Sequence, residues 1–270
     1  MKRIFPALRL SLLAAAISLA GAANAGFVTL YDQDFETPNT PPGFSNGYGS
    51  GYRDVSQQQV NDLYGNQPAG FAFAQAYTVE TVLLRGTRAF GTGYSDPTGK
   101  GGNYAAGMLS TTQSDLLGLS FNVGAYGFFN FAIDVSSLGL DGIGGPFAND
   151  HTAPRFRFTL YDNPTGAPNT GSGAILGQGE LLGTSSAINT LDWTHGVFSF
   201  DTSGATNGNV TLQLDLLEGG YAVFDNFLIT ASDEAGGGIP AVPVPAALWL
   251  FGSGLLGLFG ASSIRKAKSA

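Results

Sequence analysis

The sequence contains no cysteine, and only two histidines, two tryptophans and two methionines in 270 residues. Without cysteine there is no disulfide framework, no thiolate nucleophile and no thiolate metal site, so a packed core or a bound metal must supply stability. Charge is also sparse, at 12% of residues, and the positive sign is the scarcer, with twelve Lys and Arg against twenty Asp and Glu. Six of the twelve, Lys2, Arg3, Arg9, Arg265, Lys266 and Lys268, lie at the two ends of the chain. The six that remain, set against twenty acids, leave residues 26–245 with a net charge of −14. A surface of that sign repels nucleic acid and anionic lipid, excludes nucleic acid as a partner, and suits divalent cations or neutral ligands.

The ends read as targeting segments. Residues 1–25 open on Lys2 and Arg3, pass through an apolar run over residues 10–20, and close on Ala23-Asn24-Ala25. That small-x-small pattern predicts export through the Sec machinery and cleavage by signal peptidase after Ala25. The apolar run is shorter than the ~20 residues that span a bilayer, which argues against a permanent anchor. At the other end, residues 233–245 read as a linker, glycine-rich first and then stiffened by Pro240, Pro243 and Pro245. Residues 246–264 follow with no charge, and Arg265, Lys266 and Lys268 come at once afterwards. As a helix these nineteen residues would cover about 28 Å, close to the ~30 Å hydrocarbon core of a bilayer. The basic residues 265–270 would stay in the cytoplasm and the domain would stand outside.

The wording of that tail is more specific than its hydrophobicity. Pro243-Val244-Pro245 followed by Ala-Ala-Leu-Trp-Leu-Phe-Gly-Ser-Gly resembles the PEP-CTERM sorting signal, with Val244 where the namesake motif has Glu. The resemblance implies a Gram-negative source and an exosortase-type processing enzyme that reads Pro243, Val244 and Pro245, with Arg265 and Lys266 as the stop. It also implies a membrane-anchored precursor, a final place at the cell surface or outside the cell, and an association with exopolysaccharide and biofilm. It covers about the last thirty residues and specifies an address, not an activity.

Between the ends, short apolar runs alternate with Gly, Asn, Asp, Ser and Pro clusters, and no long segment has helical period. Every second residue is apolar in residues 129–134, 155–161 and 211–216, the pattern of a half-buried strand. Further extended segments are expected over 28–35, 70–76, 78–84, 105–109, 117–123, 174–182, 193–200 and 221–229. About ten strands, irregularly spaced and joined by glycine-rich links, predict an all-β domain over residues 26–232, a two-sheet sandwich of jelly-roll type. The one helical piece expected within it is short, residues 56–64.

Catalytic signals are weak. Gly43-Phe44-Ser45-Asn46-Gly47 matches G-x-S-x-G, but it follows two prolines and precedes more glycine, where a nucleophile elbow needs a strand before it and a helix after it. His151 and His195 read as surface or edge residues. The five glutamates, Glu36, Glu80, Glu180, Glu218 and Glu234, single out no acid and base pair. Tyr48, Tyr52, Tyr64, Tyr94, Tyr104 and Tyr126 stand in or beside glycine-rich loops, where rings could stack on sugars.

The first extended segment carries Asp34 and Glu36, and the last reads Val-Phe-Asp-Asn-Phe through Asp225. The pairing is similar to that in carbohydrate-binding jelly rolls, and the resemblance implies a structural Ca2+ held by Asp34, Glu36 and Asp225, since hard oxygen ligands suit that ion. The competing reading is that these acids face water on edge strands. The function expected is a non-catalytic surface or matrix protein that binds glycan or packs within exopolysaccharide. The alternatives are a secreted polysaccharide hydrolase and a protein-binding adhesin.

Overall fold

The computed structural model describes residues 26–37, 52–53, 72–75, 79–84, 94–110, 116–138 and 152–240. The signal peptide with Ala23 and Ala25, the tail with Pro243, Val244, Pro245, Arg265 and Lys266, the G-x-S-x-G pentapeptide, His151 and the short helical piece lie outside these residues.

The described residues form twelve strands: β1 (Phe27–Gln33), β2 (Tyr52–Arg53), β3 (Ala72–Gln75), β4 (Val79–Leu83), β5 (Tyr104–Leu109), β6 (Leu116–Asn122), β7 (Phe128–Ser137), β8 (Arg155–Asp162), β9 (Ile175–Leu182), β10 (Thr194–Asp201), β11 (Asn209–Glu218) and β12 (Tyr221–Ser232). Each segment expected to be extended contains one, and β2 is an addition. One sheet runs β10-β7-β12-β5-β4-β2, with β1 paired to the second half of β12; the other runs β3-β6-β11-β8-β9. Every named strand pair is antiparallel. The protein is an all-β sandwich of jelly-roll type.

Alternation explains the packing. In β11, Val210, Leu212, Leu214 and Leu216 point inward with no exposure, and β8 sends Phe156, Phe158 and Leu160 to meet the first sheet. Phe131 of β7 stands at the centre, its ring 4.9 Å from Phe198, 5.0 Å from Phe158, 5.8 Å from Phe200 and 6.0 Å from Phe227 between centroids. The two sheets meet along matching edges where Gly177 and Gly179 of β9 lie under Phe200 and Phe198 of β10. A β-carbon there would stand 2.6 Å from Phe200 Cδ1 and 2.8 Å from Phe198 Cδ1. A smaller apolar cluster covers the outer face of the first sheet: Leu84, Leu138, Leu191 and Trp193 pack on Ala105, Tyr221 and Val223. Strands β5 and β7 are therefore covered on both faces.

The domain does not stop at Ser232. Residues 233–239, read from sequence as the start of a linker, fold back in turns onto the outer face of the first sheet. Gly237 N–H donates to Glu234 O at 3.1 Å and Ile239 N–H to Gly236 O at 3.2 Å. The chain's two described ends thus meet, with Asp233 N–H donating to Gly26 O at 3.2 Å.

Truncating a ring at the centre of a close-packed core removes its transfer free energy and leaves a cavity. Phe131→Ala should cost about 3–5 kcal/mol and lower the melting temperature by roughly 10 °C, whereas exposed Val197→Ala should stay within about 1 kcal/mol; urea and thermal unfolding check both.

Candidate functional site

The acids singled out in the sequence do come to one place, because β1 and β12 pair. Gln33 faces Phe227, so Asp34 and Glu36 run on past the end of the pairing toward Asp225. Two residues there have left-handed backbone, Phe35 (φ 55°) and Asn226 (φ 49°). Asn tolerates this conformation through its short polar side chain, and Phe35 is held in it by burial. Its ring lies edge-on to Phe224, with centroids 5.6 Å apart, and its N–H donates to Gln33 Oε1 at 2.9 Å. The Asn226 bulge interrupts the β12–β7 register between Asp225 and Leu228.

Each acid is held differently. Glu36 accepts from the N–H groups of Asn103 (2.6 Å) and Tyr104 (3.0 Å) at Oε1 and from Asn103 Nδ2 (2.7 Å) at Oε2. Gly102, at φ 53°, passes so close to that carboxylate that a β-carbon would collide with it. Among the described residues, Asp34 Oδ1 accepts locally, from Glu36 N–H at 3.1 Å. Asp225 is 1% exposed, and among the described residues its carboxylate accepts one hydrogen bond, from Asn226 N–H at 2.7 Å. Burial, with the charges of Glu36, Asp34 and Asp134 around it, pushes the Asp225 carboxyl up to about 8.

Sequence reasoning missed the fourth acid. Asp134 of β7 faces Asp225 directly across the ladder, and nothing in sequence spacing announces which strand will lie beside the last one. It is 5% exposed and, among the described residues, has three partners: His195 Nδ1 at 2.9 Å, Asn226 Nδ2 at 3.1 Å and Lys100 Nζ at 3.5 Å. His195, read from sequence as an ordinary edge residue, therefore faces a buried carboxylate. Lys100 belongs to a loop organised by Asp96. Burial works against that charge, yet hydrogen bonds from Gly101, Thr98, Trp193 and Gly99 hold its carboxyl below its ordinary value.

Hard oxygen donors are what Ca2+ takes, and the buried, thinly hydrogen-bonded Asp225 beside Asp34, Glu36 and Asp134 has the right donor chemistry. Among the described residues, however, no group of three His, Cys, Asp or Glu side chains is close enough together to hold a metal ion. Glu36 is turned toward its N–H donors.

A second feature is the outer face of the second sheet, which carries a row of polar side chains on β8, β9 and β11. Arg155 bonds Glu180 (3.2 Å) and Glu218, Arg157 bonds Asp215 (2.5 Å), and Gln178 Nε2 donates to Thr159 Oγ1 (3.0 Å). Residues 163–174 cross one part of this face. Asn163 Nδ2 donates to Thr211 Oγ1 at 3.1 Å, Gln213 Nε2 donates to Thr170 O, and Gly171 lies against the Tyr161 ring. Arg155, Arg157, Gln178 and Glu180 remain open to solvent beside the strap. The tyrosines do not form a platform where they are described. Tyr104 is buried, Tyr94 packs on the smaller cluster and Tyr126 on the main one.

No protein-family model matches the sequence, and no curated protein matches it. Among solved structures, the chain is similar to a CBM4 structure (9% identity, 75% of this chain and 99% of that one, TM-score 0.35). It is also similar to the K3 cleaved adhesin domain of Lys-gingipain from Porphyromonas gingivalis (12%, 76% and 99%, 0.37) and to the CBM22-1 xylan-binding domain of Paenibacillus barcinonensis Xyn10C (12%, 79% and 99%, 0.34). Likeness at this level assigns the chain neither a family nor a ligand.

Asp225 sets a pH dependence. Its folded value of about 8 lies above the ordinary 3.8, so between these limits unfolding releases a proton and stability falls as pH rises. In chelator, the wild type should lose stability relative to Asp225→Asn from pH 5 to 8, by at most about 1.4 kcal/mol per pH unit. His195 and Lys100, which face Asp134, are common to both proteins and cancel in the difference. Parallel urea titrations at several pH values check this, and a pH-independent difference refutes it.

Proposed function

We propose that the chain is an exported, non-catalytic protein of the cell surface or extracellular matrix, whose sandwich binds a neutral glycan on the open part of the second sheet's outer face. The observation that supports this is the row of side chains around Arg155, Arg157, Gln178 and Glu180. They are planar amide, guanidinium and carboxylate groups on a rigid sheet, already hydrogen-bonded to neighbouring side chains, so that little conformational freedom is lost when a ligand arrives. Two arginines set against Glu180, Glu218 and Asp215 leave no positive excess. Such a face suits hydroxyl-rich neutral sugars better than uronates or nucleic acid. The exposed aliphatic Ile175 and Leu182, 59% and 61% exposed, lie on the same strand β9 and offer apolar contact.

On this reading Pro243, Val244 and Pro245 address the precursor to an exosortase-type enzyme. Residues 246–264 hold it in the membrane until then, with Arg265 and Lys266 inside. Among the described residues no helix is long and apolar enough to cross a membrane. The anchoring role therefore rests on the sequence of the tail. For Ca2+ to be held by Asp34, Glu36 and Asp225, Glu36 would have to turn from the Asn103 and Tyr104 donors that engage it.

Binding is tested on an array of neutral and acidic polysaccharides. Arg157→Ala with Gln178→Ala should weaken neutral-glycan binding by tenfold or more, about 1.4 kcal/mol, while the melting temperature stays within a few degrees. Release of reducing ends from the bound polysaccharide would establish the hydrolase instead. Binding to protein but to no glycan would establish the adhesin.

Calcium is tested separately. At a hundredfold excess over its Kd, the ion should stabilise the folded state by about 2.7 kcal/mol, a rise of several degrees in melting temperature. Asp225→Asn should abolish that rise. Equal melting of the wild type in chelator and in millimolar Ca2+ would refute the metal.

A further inference from the structure

The run Glu234-Ala235-Gly236-Gly237-Gly238 has the composition of a flexible linker, and the structure gives it the opposite character. Three neighbouring strands, β10, β7 and β12, bring Ser199, Asn130 and Thr230 into one row on the outer face of the first sheet. Asn130 and Thr230 are fully buried. The row is a receptor for the turn. Gly236 N–H donates to Asn130 Oδ1 at 2.7 Å and to Ser199 Oγ at 2.8 Å. Gly237 O accepts from Thr230 Oγ1 at 2.7 Å and from Asn130 Nδ2 at 3.3 Å. Ser232 Oγ accepts from Asn130 Nδ2 at 2.7 Å and donates to Glu234 O at 2.6 Å. Without residues 233–239, Asn130 would keep only Ser199 and Ser232 as partners among these groups.

Each glycine is required by space or by backbone. Gly236 and Gly238 have φ of 77° and 79°, where a side chain is strained. A β-carbon at Gly237 would stand 2.6 Å from Ser232 Oγ, and one at Gly238 would stand 2.5 Å from Phe27 Cδ2 and 3.0 Å from Thr230 Cγ2. A tether needs glycine for freedom and tolerates any small residue. This segment needs glycine because the backbone lies on the sheet.

We propose that residues 233–239 are a clip that governs access to the sorting segment. This rests on the sorting function proposed above for Pro243, Val244 and Pro245. With the clip closed, the chain leaves the domain at Ile239, beside Gly26 and Phe27. Three residues, Pro240, Ala241 and Val242, then separate it from Pro243, a span of about 13 Å of extended chain. A folded domain held that close to a membrane-embedded enzyme crowds it. Opening the clip adds seven residues, about 23 Å of reach, and gives the enzyme room. Processing therefore draws on the fraction of molecules whose clip is open, and weakening the clip speeds it.

The test uses the full-length chain, with two variants that act from opposite sides. Asn130→Ala removes the receptor, and Gly238→Ala strains the clip while leaving every receptor side chain of the sheet intact, so a folding defect in the first does not remove the second. In purified wild type, hydrogen exchange at the Gly236 and Gly237 amides should be slowed about a hundredfold or more relative to unstructured peptide. In either variant that protection should fall, while Phe131 and Ile229 stay protected. In a host carrying an exosortase-type enzyme, both variants should be processed at least about threefold faster than wild type. Unprotected glycine amides in the wild type overturn the clip itself. Equal or slower processing of both variants, with the wild type processed normally, overturns its governing role alone. A wild-type chain that is never processed overturns the sorting function and the clip's role with it, while the exchange data still report whether the clip exists.

Discussion

Everything in the molecule hangs on the pairing of β12. Its first half lies between β7 and β5, and its second half between β7 and β1. The last of the described strands is thus the one on which β1, the centre of the first sheet and the clip all converge. Such long-range pairing costs chain entropy before any contact repays it. The return comes from Phe224, Phe227 and Ile229, which enter the aromatic core from this one strand. The bulge at Asn226 is the local adjustment that lets the same strand serve two sets of neighbours.

The acidic cluster is a by-product of that arrangement. Antiparallel pairing places Asp225 opposite Asp134, and β1 then delivers Asp34 and Glu36 to the same corner. Like charges so placed cost energy unless protons, cations or N–H donors offset them. The protein uses several of these at once. Glu36 takes N–H donors, Asp134 takes Lys100, His195 and Asn226, and Asp225 takes a proton. A domain with a net charge of −14 in its middle could hardly leave four acids together on any other terms.

The strands were legible because β structure with one face buried writes itself as alternation, and Arg155-Phe156-Arg157-Phe158 can be read no other way. The meeting of Asp34, Glu36 and Asp225 was legible only through resemblance. Asp134, Lys100 and the Asp96 loop were not legible at all, since register between distant strands leaves no mark on local sequence. The polar face of the second sheet was half visible. Alternation announces that Arg157 and Thr159 point away from the core, but not that residues 163–174 would cover Thr211 and Gln213 and leave Gln178 and Glu180 open.

The misreading of residues 233–239 is the most instructive, because composition pointed one way and space the other. Glycine is common in linkers because it orders at high entropic cost, and common in close backbone approaches because it lacks a β-carbon; sequence alone does not separate the two. What separates them is the receiving surface. Asn130 lies in the middle of a strand whose alternate residues are Phe129, Phe131 and Ile133, and it is fully buried. A buried amide must find partners for both ends of its side chain, and neighbouring strands supply only hydroxyls. The backbone of the glycine run supplies the rest. The polar residue in the sheet and the glycines that follow the last strand are two halves of one feature, and each explains why the other is present.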